Sequence, residues 1–180
     1  MGSTNQLLTK IKLILFMDSD EKIVVHLVSV WREGGSFLSV GGKEGMLFLT
    51  DKHLMFVRKT ERMKKWWKSV VTRQVVTLIQ NSDVMIKHDG YDAEDLEIDL
   101  ENKKKSSEVS FDNILSLEVE KKIWGNILKM EVIEDGKKKS YQYSIVKDWV
   151  HYPLKDPTRF LKVNWSPFVD FIKARQKITE

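Results

Sequence analysis

Two short apolar runs separated by a polar turn form the clearest pattern of hydrophobic and polar positions in the chain. The runs cover residues 46–49 and 54–57, and the turn between them covers 50–53. This pattern predicts an antiparallel β-hairpin with at least one buried face. A β-branched run at 23–31 precedes it and ends shortly before Gly34, which predicts a first strand buried on much of both faces.

The pattern becomes helical between residues 58 and 80. At about 100° per residue, one broad face collects Met63, Trp66, Trp67, Val70, Val71, Gln74 and Leu78. Lys65, Lys68 and Thr72 lie on the opposite face. We therefore predict an amphipathic helix, although the valines in its second half leave a strand possible there.

Further segments predict strands. Residues 84–87 are a short strand candidate, and residues 96–100 alternate between apolar and acidic, which predicts a strand with one solvent-exposed face. The runs at 127–134 and 139–146 flank Asp135 and Gly136, a dipeptide that favours a tight hairpin turn. These two runs therefore predict another hairpin of the sheet.

A C-terminal helix is predicted to begin near Ser166. Ser166 can cap this helix, and Pro167 suits its first turn. Phe168, Phe171 and Ile172 recur at helical spacing and would form its buried stripe. We expect this helix to pack its apolar stripe against the sheet.

Several of these segments resemble a known family. The pattern of a glycine, an apolar strand, Thr-Asp-Lys-x and a second apolar strand at 45–57 is similar to the opening hairpin of GRAM and related prokaryotic pleckstrin-homology-like (PH-like) domains. The step Phe-Asp-x-Ile-x-x-Leu at 111–117 is similar to the entry into the second half of their sheet. The resemblance covers roughly 21–57 and 107–178, whereas the segment 58–106 is longer than such domains usually need.

The resemblance implies a single domain over residues 1–180, mainly β with α (α+β). The implied architecture is a bent antiparallel sheet or barrel of about seven strands, closed by a C-terminal helix at 166–178, with a helical insertion after the first hairpin. Domains of this type bind lipid headgroups, peptides or other proteins. Specific phosphoinositide recognition is not implied, because the first hairpin turn reads Thr-Asp-Lys-His at 50–53 and lacks the basic pattern of phosphoinositide-binding members.

Composition favours a folded domain without catalytic chemistry. The chain has 180 residues, of which 42% are hydrophobic, enough to build one core. The lack of cysteine removes disulfides, thiolate nucleophiles and cysteine-bound zinc, and it fits a cytoplasmic location. The four histidines, at 26, 53, 88 and 151, do not have the spacing of a metal site on a helix. We therefore expect no enzyme activity, no cofactor and no metal.

A cluster of basic and aromatic residues on the predicted helix is the main candidate site. Its members are Lys64, Lys65, Trp66, Trp67, Lys68 and Arg73. Indole rings favour the membrane interface, and each cation near an anionic surface adds about 1 kcal/mol. The alternative is structural: Trp67, with or without Trp66, packs onto the sheet while the lysines are solvated. Both interpretations can hold together.

From this cluster we predict a binding module that associates peripherally with an anionic membrane surface or a membrane-bound partner. The mechanism would be shallow tryptophan insertion and salt-sensitive attraction. The apolar run at 11–17 is too short to span a bilayer. We therefore expect a cytoplasmic protein that associates peripherally with the inner face of the membrane.

Two other partner classes remain open at this stage. A protein-interaction or self-association module could use the same helix or an exposed sheet edge, and a homo-oligomer would follow. Nucleic acid could contact the same cluster through phosphate attraction and base stacking. The mild formal net charge of +4 and a neighbouring acidic block both count against nucleic acid.

The acidic block holds seven carboxylates between Asp89 and Glu101, without a single Lys or Arg. Its spacing does not fit an EF-hand calcium loop, because Gly90 follows directly after Asp89. We expect instead an acidic loop and strand edge, which either faces the basic helix or discourages edge-to-edge pairing. Neutralisation of the basic helix by this block would weaken any attraction to a membrane.

Overall fold

The computed structural model describes residues 20–35, 41–61, 63–101, 106–148, 157 and 159–176, without the side chains of 64 and 148. The apolar run at 11–17, His151 and the end of the expected C-terminal helix at 177–178 lie outside the described residues. Within the described ranges, no helix is long and apolar enough to cross a membrane. The same ranges contain no group of three or more potential metal ligands.

Eight strands in the described part of the chain form an antiparallel sheet. They are β1 (Ile23–Gly34), β2 (Lys43–Thr50), β3 (His53–Arg58), β4 (Ser106–Ser110), β5 (Ile114–Lys122), β6 (Gly125–Glu134), β7 (Lys137–Asp148) and β8 (Arg159–Phe160). Seven of them follow the order β4-β3-β2-β1-β7-β6-β5, and β8 pairs with β7. Because β4 and β5 stand at opposite ends of this order, the sheet is open.

Three helices accompany the sheet in the described residues: α1 (Lys64–Gln80), α2 (Ala93–Leu100) and α3 (Ser166–Lys173). A 3-10 turn at Phe111–Asn113 joins β4 to β5. The expected class, a mainly antiparallel sheet combined with helices, is confirmed. Both α1 and α2 lie between β3 and β4, and α1 is the helical insertion expected after the first hairpin.

Both faces of the central strands are buried, which determines where the helices pack. In β2, Leu47 and Leu49 belong to one apolar core, whereas Met46 and Phe48 belong to another, and all four are fully buried. A strand that is apolar on both faces must be covered on both. Helix α3 contributes Phe168 and its neighbours to the first core, and helices α1 and α2 cover the second.

Both predicted hairpins are confirmed. The first pairs Leu47 with Phe56 and turns at 51–52. The second turns at Asp135 and Gly136, whose φ angles of 53° and 71° are the positive values that the Asp-Gly dipeptide favours. Positive φ is accessible to glycine without steric cost, and aspartate tolerates it better than most residues.

Helix α1 is confirmed over the whole stretch in which a strand was the alternative. Met63, Trp67, Val70, Gln74 and Leu78 are buried on the predicted face. Valine lowers helix propensity by only a few tenths of a kcal/mol per residue. Burial of the apolar face, against the second core for Met63, Trp67 and Val70 and against the first for Leu78, outweighs this cost, and the segment is helical to Gln80.

The strand predicted at 96–100 is wrong, because this segment belongs to helix α2. The carboxylate of Asp92 accepts a hydrogen bond from the backbone N–H of Asp95 at 3.0 Å and so caps the helix. Leu96 and Leu100 are four residues apart and are both buried in the second core. The apolar residues of 96–100 fit the spacing of a strand as well as that of a helix. The cap at Asp92 and the acidic residues in the first turn favour the helix.

Two further details differ from the prediction. Residues 84–87 form no strand, although the carbonyl of Ile86 accepts a hydrogen bond of 2.9 Å from the backbone N–H of His26. Ser166 is the first residue of α3 rather than its cap, and the side-chain oxygen of Asn164 accepts the backbone N–H of Ser166 at 3.1 Å. The helix ends at Lys173, five residues before the expected limit, and of those five residues 177–178 lie outside the description.

Candidate functional site

The structure separates the predicted cluster on α1 into an inner and an outer part. Trp67 is buried in the second core, and Trp66 is half-buried. The ring of Trp66 lies 6.0 Å from that of Trp67 and 5.9 Å from that of Tyr91, measured between centroids. Both indoles therefore take part in packing, as the structural alternative proposed.

The cations of the cluster face outward where they are described. Lys65, Lys68 and Arg73 are exposed, and the side chain of Lys64 is outside the description. The exposed face of α1 changes character along its length, because Val76 and Ile79 near its C-terminal end are exposed apolar residues. Ile79 has 65% of its surface exposed. The outer face thus runs from basic to apolar over about 21 Å, at the usual rise of an α-helix.

Gln74 connects α1 to the central strand β1. Its side-chain carbonyl accepts the backbone N–H of Val28 at 2.8 Å, and its amide nitrogen donates to the carbonyl of Val28 at 2.7 Å. The strand is irregular here, since its pairing with β2 shifts between Leu27 and Val30 and Ser29 has a φ of 52°. Gln74 therefore satisfies two backbone groups at this irregularity, both of which would otherwise be buried without partners.

His26 occupies the middle of the second core. Its ring stacks on Phe48 at 4.6 Å and lies 4.8 Å from Tyr91 and 5.5 Å from His88, between centroids. Burial lowers the pKa of His26 to about 3, and the positive fields of His88 and Lys87 act in the same direction. His26 is therefore neutral near pH 7 and serves as a core aromatic residue.

His88 lies closer to the surface and is tied to α1. Its Nε2 is 3.0 Å from the side-chain oxygen of Gln74, so Nε2 carries the proton and donates. Burial, followed by the field of Arg73, lowers the pKa of His88 below its usual value. His26 and His88 are thus neighbours beneath one helix.

The acidic block contributes to packing as well as to the surface. Asp99 is buried and accepts a hydrogen bond of 2.6 Å from the hydroxyl of Tyr91. Glu94 is exposed in the first turn of α2. One carboxylate of the block therefore stabilises the second core, which spacing in the sequence did not predict.

A charged cluster holds the turn between β2 and β3. The carboxylate of Glu21 accepts hydrogen bonds from the hydroxyl of Thr50 and, at 2.8 Å, from Nδ1 of His53. The hydrogen bond to Glu21 raises the pKa of His53, against the opposing effect of burial. A cavity of about 370 Å³ beside this turn is lined by acids and bases together, including Asp51, Lys52 and Arg175. This mixture of charges favours no particular ligand.

A feature that the sequence interpretation missed stands at the turn between β5 and β6. Ile123 is 94% exposed and Trp124 is 44% exposed, directly after Lys121 and Lys122. We call residues 121–124 the hairpin tip. Ile123 and Trp124 together place two large apolar side chains at the exposed end of this turn.

The hairpin tip is held in place from below. The ring of Trp124 lies 5.4 Å from that of Phe160, and the carbonyl of Trp124 accepts the backbone N–H of Phe160 at 3.0 Å. Gly125 has a φ of 151°, and a Cβ at this position would lie 2.6 Å from Cβ of Phe160. The amide of Asn126 adds a bond of 2.7 Å to the carbonyl of Val163. The turn is therefore fixed against the chain that follows β8.

A groove of about 630 Å³ separates the hairpin tip from the C-terminal end of α1. We call it the tip groove. Ile79, Ile123 and Trp124 line it together with Leu78, Phe160 and Leu161, and its cations are Lys147, Arg159 and Lys162. No carboxylate is among the described residues that line it. The groove thus combines an apolar lining with positive charge.

Part of this site was readable from the sequence. Lys-Lys-Ile-Trp-Gly at 121–125 places two bases and two large apolar residues at a turn between alternating strands, which is a sequence signal for an exposed apolar tip. The cations of the groove carry no such signal, because Lys147, Arg159 and Lys162 come together only through the pairing of β7 with β8.

Comparisons with known proteins give little guidance. No protein-family model matches the chain, and no curated protein matches it. One solved structure that matches is the hSac2 domain from human phosphoinositide phosphatase Sac2, at 11% sequence identity and a TM-score of 0.39. The match covers 96% of this chain and 79% of that one. A likeness at this level supports no conclusion about fold or function.

Proposed function

We propose that the chain is a non-catalytic binding module of PH-like architecture that associates peripherally with an anionic membrane surface. The observation that carries the proposal is the hairpin tip, in which Ile123 is almost fully exposed beside Trp124 on a turn fixed by Gly125. Lys121 and Lys122 are exposed on the same tip. An exposed apolar point with cations beside it is typical of proteins that insert shallowly into the interface, and one of these cations, Lys122, also forms an ion pair with Glu120.

The proposed surface extends the predicted cluster on α1. Lys65, Lys68 and Arg73 supply long-range attraction from the outer face of the helix, and Ile79 joins this face to the tip groove. Trp66 and Trp67 act by positioning the helix on the sheet, since their rings pack in the second core. The inserting indole is that of Trp124 in this proposal.

The energies favour weak, reversible and salt-sensitive binding. Burial of one isoleucine side chain contributes about 2 kcal/mol. Each cation within a Debye length of an anionic surface contributes about 1 kcal/mol, and salt screens this part. No single residue holds the protein on the surface, so loss of the apolar tip and addition of salt should each reduce binding.

Co-sedimentation with vesicles tests the proposal. We expect the parent chain to bind vesicles of phosphatidylcholine mixed with phosphatidylserine, to release them as salt is added, and to ignore pure phosphatidylcholine. The double variant Ile123→Ser, Trp124→Ser should lose about tenfold or more in affinity. Leu115→Ser is the matched control, because Leu115 is 53% exposed on β5 outside the lining of the groove.

A second variant separates membrane insertion through the hairpin tip from membrane insertion through α1. A folded variant with Trp66→Ser and Trp67→Ser that binds as the parent does would leave insertion to the tip alone. Parent-like binding by the tip variant, with loss in the Trp66 and Trp67 variant, would return insertion to α1. No binding of the parent to anionic vesicles would refute the membrane proposal.

A second candidate function is self-association through β5. This strand ends the described sheet order, so one of its edges offers backbone N–H and C=O groups for a further strand. Leu115 and Val119 add exposed apolar surface on the same strand. Light scattering after gel filtration would show a concentration-dependent dimer that Leu115→Lys abolishes. A monomer at every concentration would refute this second candidate.

A further inference from the structure

Two imidazole rings lie together beneath helix α1. The ring centroids of His26 on β1 and His88 in the segment between α1 and α2 are 5.5 Å apart, and we call these two residues the histidine pair. Nε2 of His88 is 3.0 Å from the side-chain oxygen of Gln74. Gln74 also makes the two hydrogen bonds to Val28 that join α1 to β1. The histidine pair therefore lies at the point where the helix is held on the sheet.

The surroundings of His26 suit a neutral ring and offer nothing to a charged one. Its Nδ1 is buried without a hydrogen-bond partner, and its Nε2 is 3.3 Å from the sulfur of Met46, which is a weak acceptor. His26 is 1% exposed, so water does not reach either nitrogen. A protonated ring here would be a buried charge without acceptors, and the fold can relieve it only by exposing the ring to solvent.

Neighbouring charges add to the effect of burial. Burial, followed by the positive fields of His88 and Lys87, lowers the pKa of His26. Burial, followed by the field of Arg73, lowers the pKa of His88, and Asp89 opposes this effect. The groups that face the histidine pair are Lys87, Asp89 and Tyr91 of the segment before α2, Arg73 of α1, Asp99 of α2 behind the hydroxyl of Tyr91, and the uncharged Met46 and Phe48 of β2. The closed structure therefore favours the neutral state of both rings.

We propose that the histidine pair is an acid-sensitive switch, in which protonation releases α1 from the sheet and frees the tryptophan face of the helix for insertion into an anionic membrane. The proposal rests on the proposed membrane association and adds its regulation. At neutral pH both rings are neutral, α1 covers the sheet, and the hairpin tip is the inserting element. In acid, α1 becomes a second inserting element.

Helix α1 is suited to separate from the sheet as a unit. It packs on the sheet through side chains, whereas the strands are joined to one another by backbone ladders. Its N-terminal end has no side-chain cap and no acidic residue in the first turn, where Lys65 opposes the helix dipole. Opening of such a unit requires less free energy than unfolding of the whole domain. Both histidines reach solvent when it opens.

The released helix has the composition of an interfacial helix. The face that it turns to the sheet contains Trp67 and Val70, and its outer face carries Lys65, Lys68 and Arg73. An anionic surface at about −30 mV also concentrates protons, which lowers the local pH by about half a unit. The membrane surface therefore favours the state of the protein that binds it more strongly.

Hydrogen exchange in solution tests the switch without vesicles. Exchange of the amides at 64–80, corrected for the intrinsic effect of pH on chemical exchange, measures the opening of α1. Because the histidine pKa is about 6.5 in the open state and about 3 for His26 in the closed one, opening should increase at least about 20-fold from about pH 7 to about pH 5. At about pH 5, amides of β6 and β7 should remain at least about tenfold better protected than those of α1.

A variant without the histidine pair separates the switch from general effects of acid. His26→Phe, His88→Gln keeps an aromatic ring against Phe48 and an amide donor toward Gln74, and its α1 opening should change by less than about threefold between the two pH values. His53→Gln is the matched control, because it removes a titratable histidine at the turn between β2 and β3 and should keep the full response. If the double variant does not fold, the comparison of α1 with β6 and β7 in the parent decides.

Three results would overturn the switch. The first is equal protection of α1 at both pH values, the second is a loss of protection in β6 and β7 as large as that in α1, and the third is a parent-like response of the folded His26→Phe, His88→Gln variant. The second result would mean that acid unfolds the whole domain.

Co-sedimentation with phosphatidylserine-containing vesicles connects the switch to the membrane. The parent should bind at least about fivefold more tightly at about pH 5 than at about pH 7, and the Trp66→Ser, Trp67→Ser variant should lose this gain. A gain that this variant keeps would overturn insertion of α1. Opening of α1 as expected, without vesicle binding at either pH, would refute the proposed function and the insertion step while the switch stands, because the exchange measurement uses no vesicle.

Discussion

Replacing Gln74 with Met would remove both side-chain hydrogen bonds to Val28 and the one from His88, and would keep the length and helix propensity of the side chain. Val28 is fully buried, so water cannot reach its N–H and C=O groups without opening the helix from the strand. A buried backbone group left without a partner costs about 1–3 kcal/mol. For two groups, with partial compensation by the apolar Met, we expect a loss of about 2–4 kcal/mol in the free energy of unfolding.

Urea unfolding, followed by far-ultraviolet circular dichroism and by tryptophan fluorescence, measures this loss. The transition midpoint should fall while the slope with urea stays the same, because the surface exposed on unfolding does not change. Gln80→Met is the matched control, since Gln80 is exposed on the last turn of the same helix. The control should stay within about 0.5 kcal/mol of the parent.

A Gln74→Met variant as stable as the Gln80→Met control would refute the reasoning. The two backbone groups of Val28 would then have to find other partners at no cost, and the role of Gln74 in holding α1 to β1 would be lost. If the helical part of the circular dichroism signal were lost at a lower urea concentration than the sheet part, the reasoning would be extended. That result would show that α1 separates from the sheet before the sheet unfolds.

Two other perturbations follow from particular residues. The neutral state of His26 is favoured in the fold, where its pKa is about 3, against about 6.5 when unfolded. The contribution of His26 to stability should therefore fall by up to about 1.4 kcal/mol per pH unit between about pH 6.5 and about pH 3. His26→Phe should remove this part of the pH dependence in urea titrations at successive pH values. Gly45→Ala should cost about 1–3 kcal/mol in the same assay, because its Cβ would lie 2.2 Å from the carbonyl oxygen of Val57. A Gly45→Ala variant as stable as the parent would contradict the steric argument.

The sheet was largely predictable because its signals are local. The apolar runs of β2 and β3 with the polar turn between them predict one hairpin within a few residues, and the Asp135-Gly136 turn predicts the other. Helix α2 was misassigned because Leu96, Ile98 and Leu100 fit period two while Leu96 and Leu100 alone fit a helix turn. The deciding contact, the cap at Asp92, is local too, and a search for capping residues would have found it.

The candidate site, too, was predictable only where its signals are local. The basic outer face of α1 follows from helical periodicity, and so does the inward direction of Trp67. The direction of Trp66 does not, because a residue at the margin of the apolar face is placed by its neighbours, here Tyr91 and His26. The tip groove depends on the pairing of β7 with a strand that comes after a long connection, and no pattern within either segment encodes that pairing.

The double burial of the central strands bears on how this chain can be shortened. On the face covered by α1 and α2, the sheet presents six apolar side chains: Ile23, Val28, Met46, Phe48, Met55 and Val57. A truncated protein that joins β3 directly to β4 would expose this face to solvent as one contiguous apolar surface, which favours aggregation. The long segment after the first hairpin is therefore a structural cover that cannot be trimmed as a dispensable loop, and a minimal version of the domain would require redesign of the sheet beneath it.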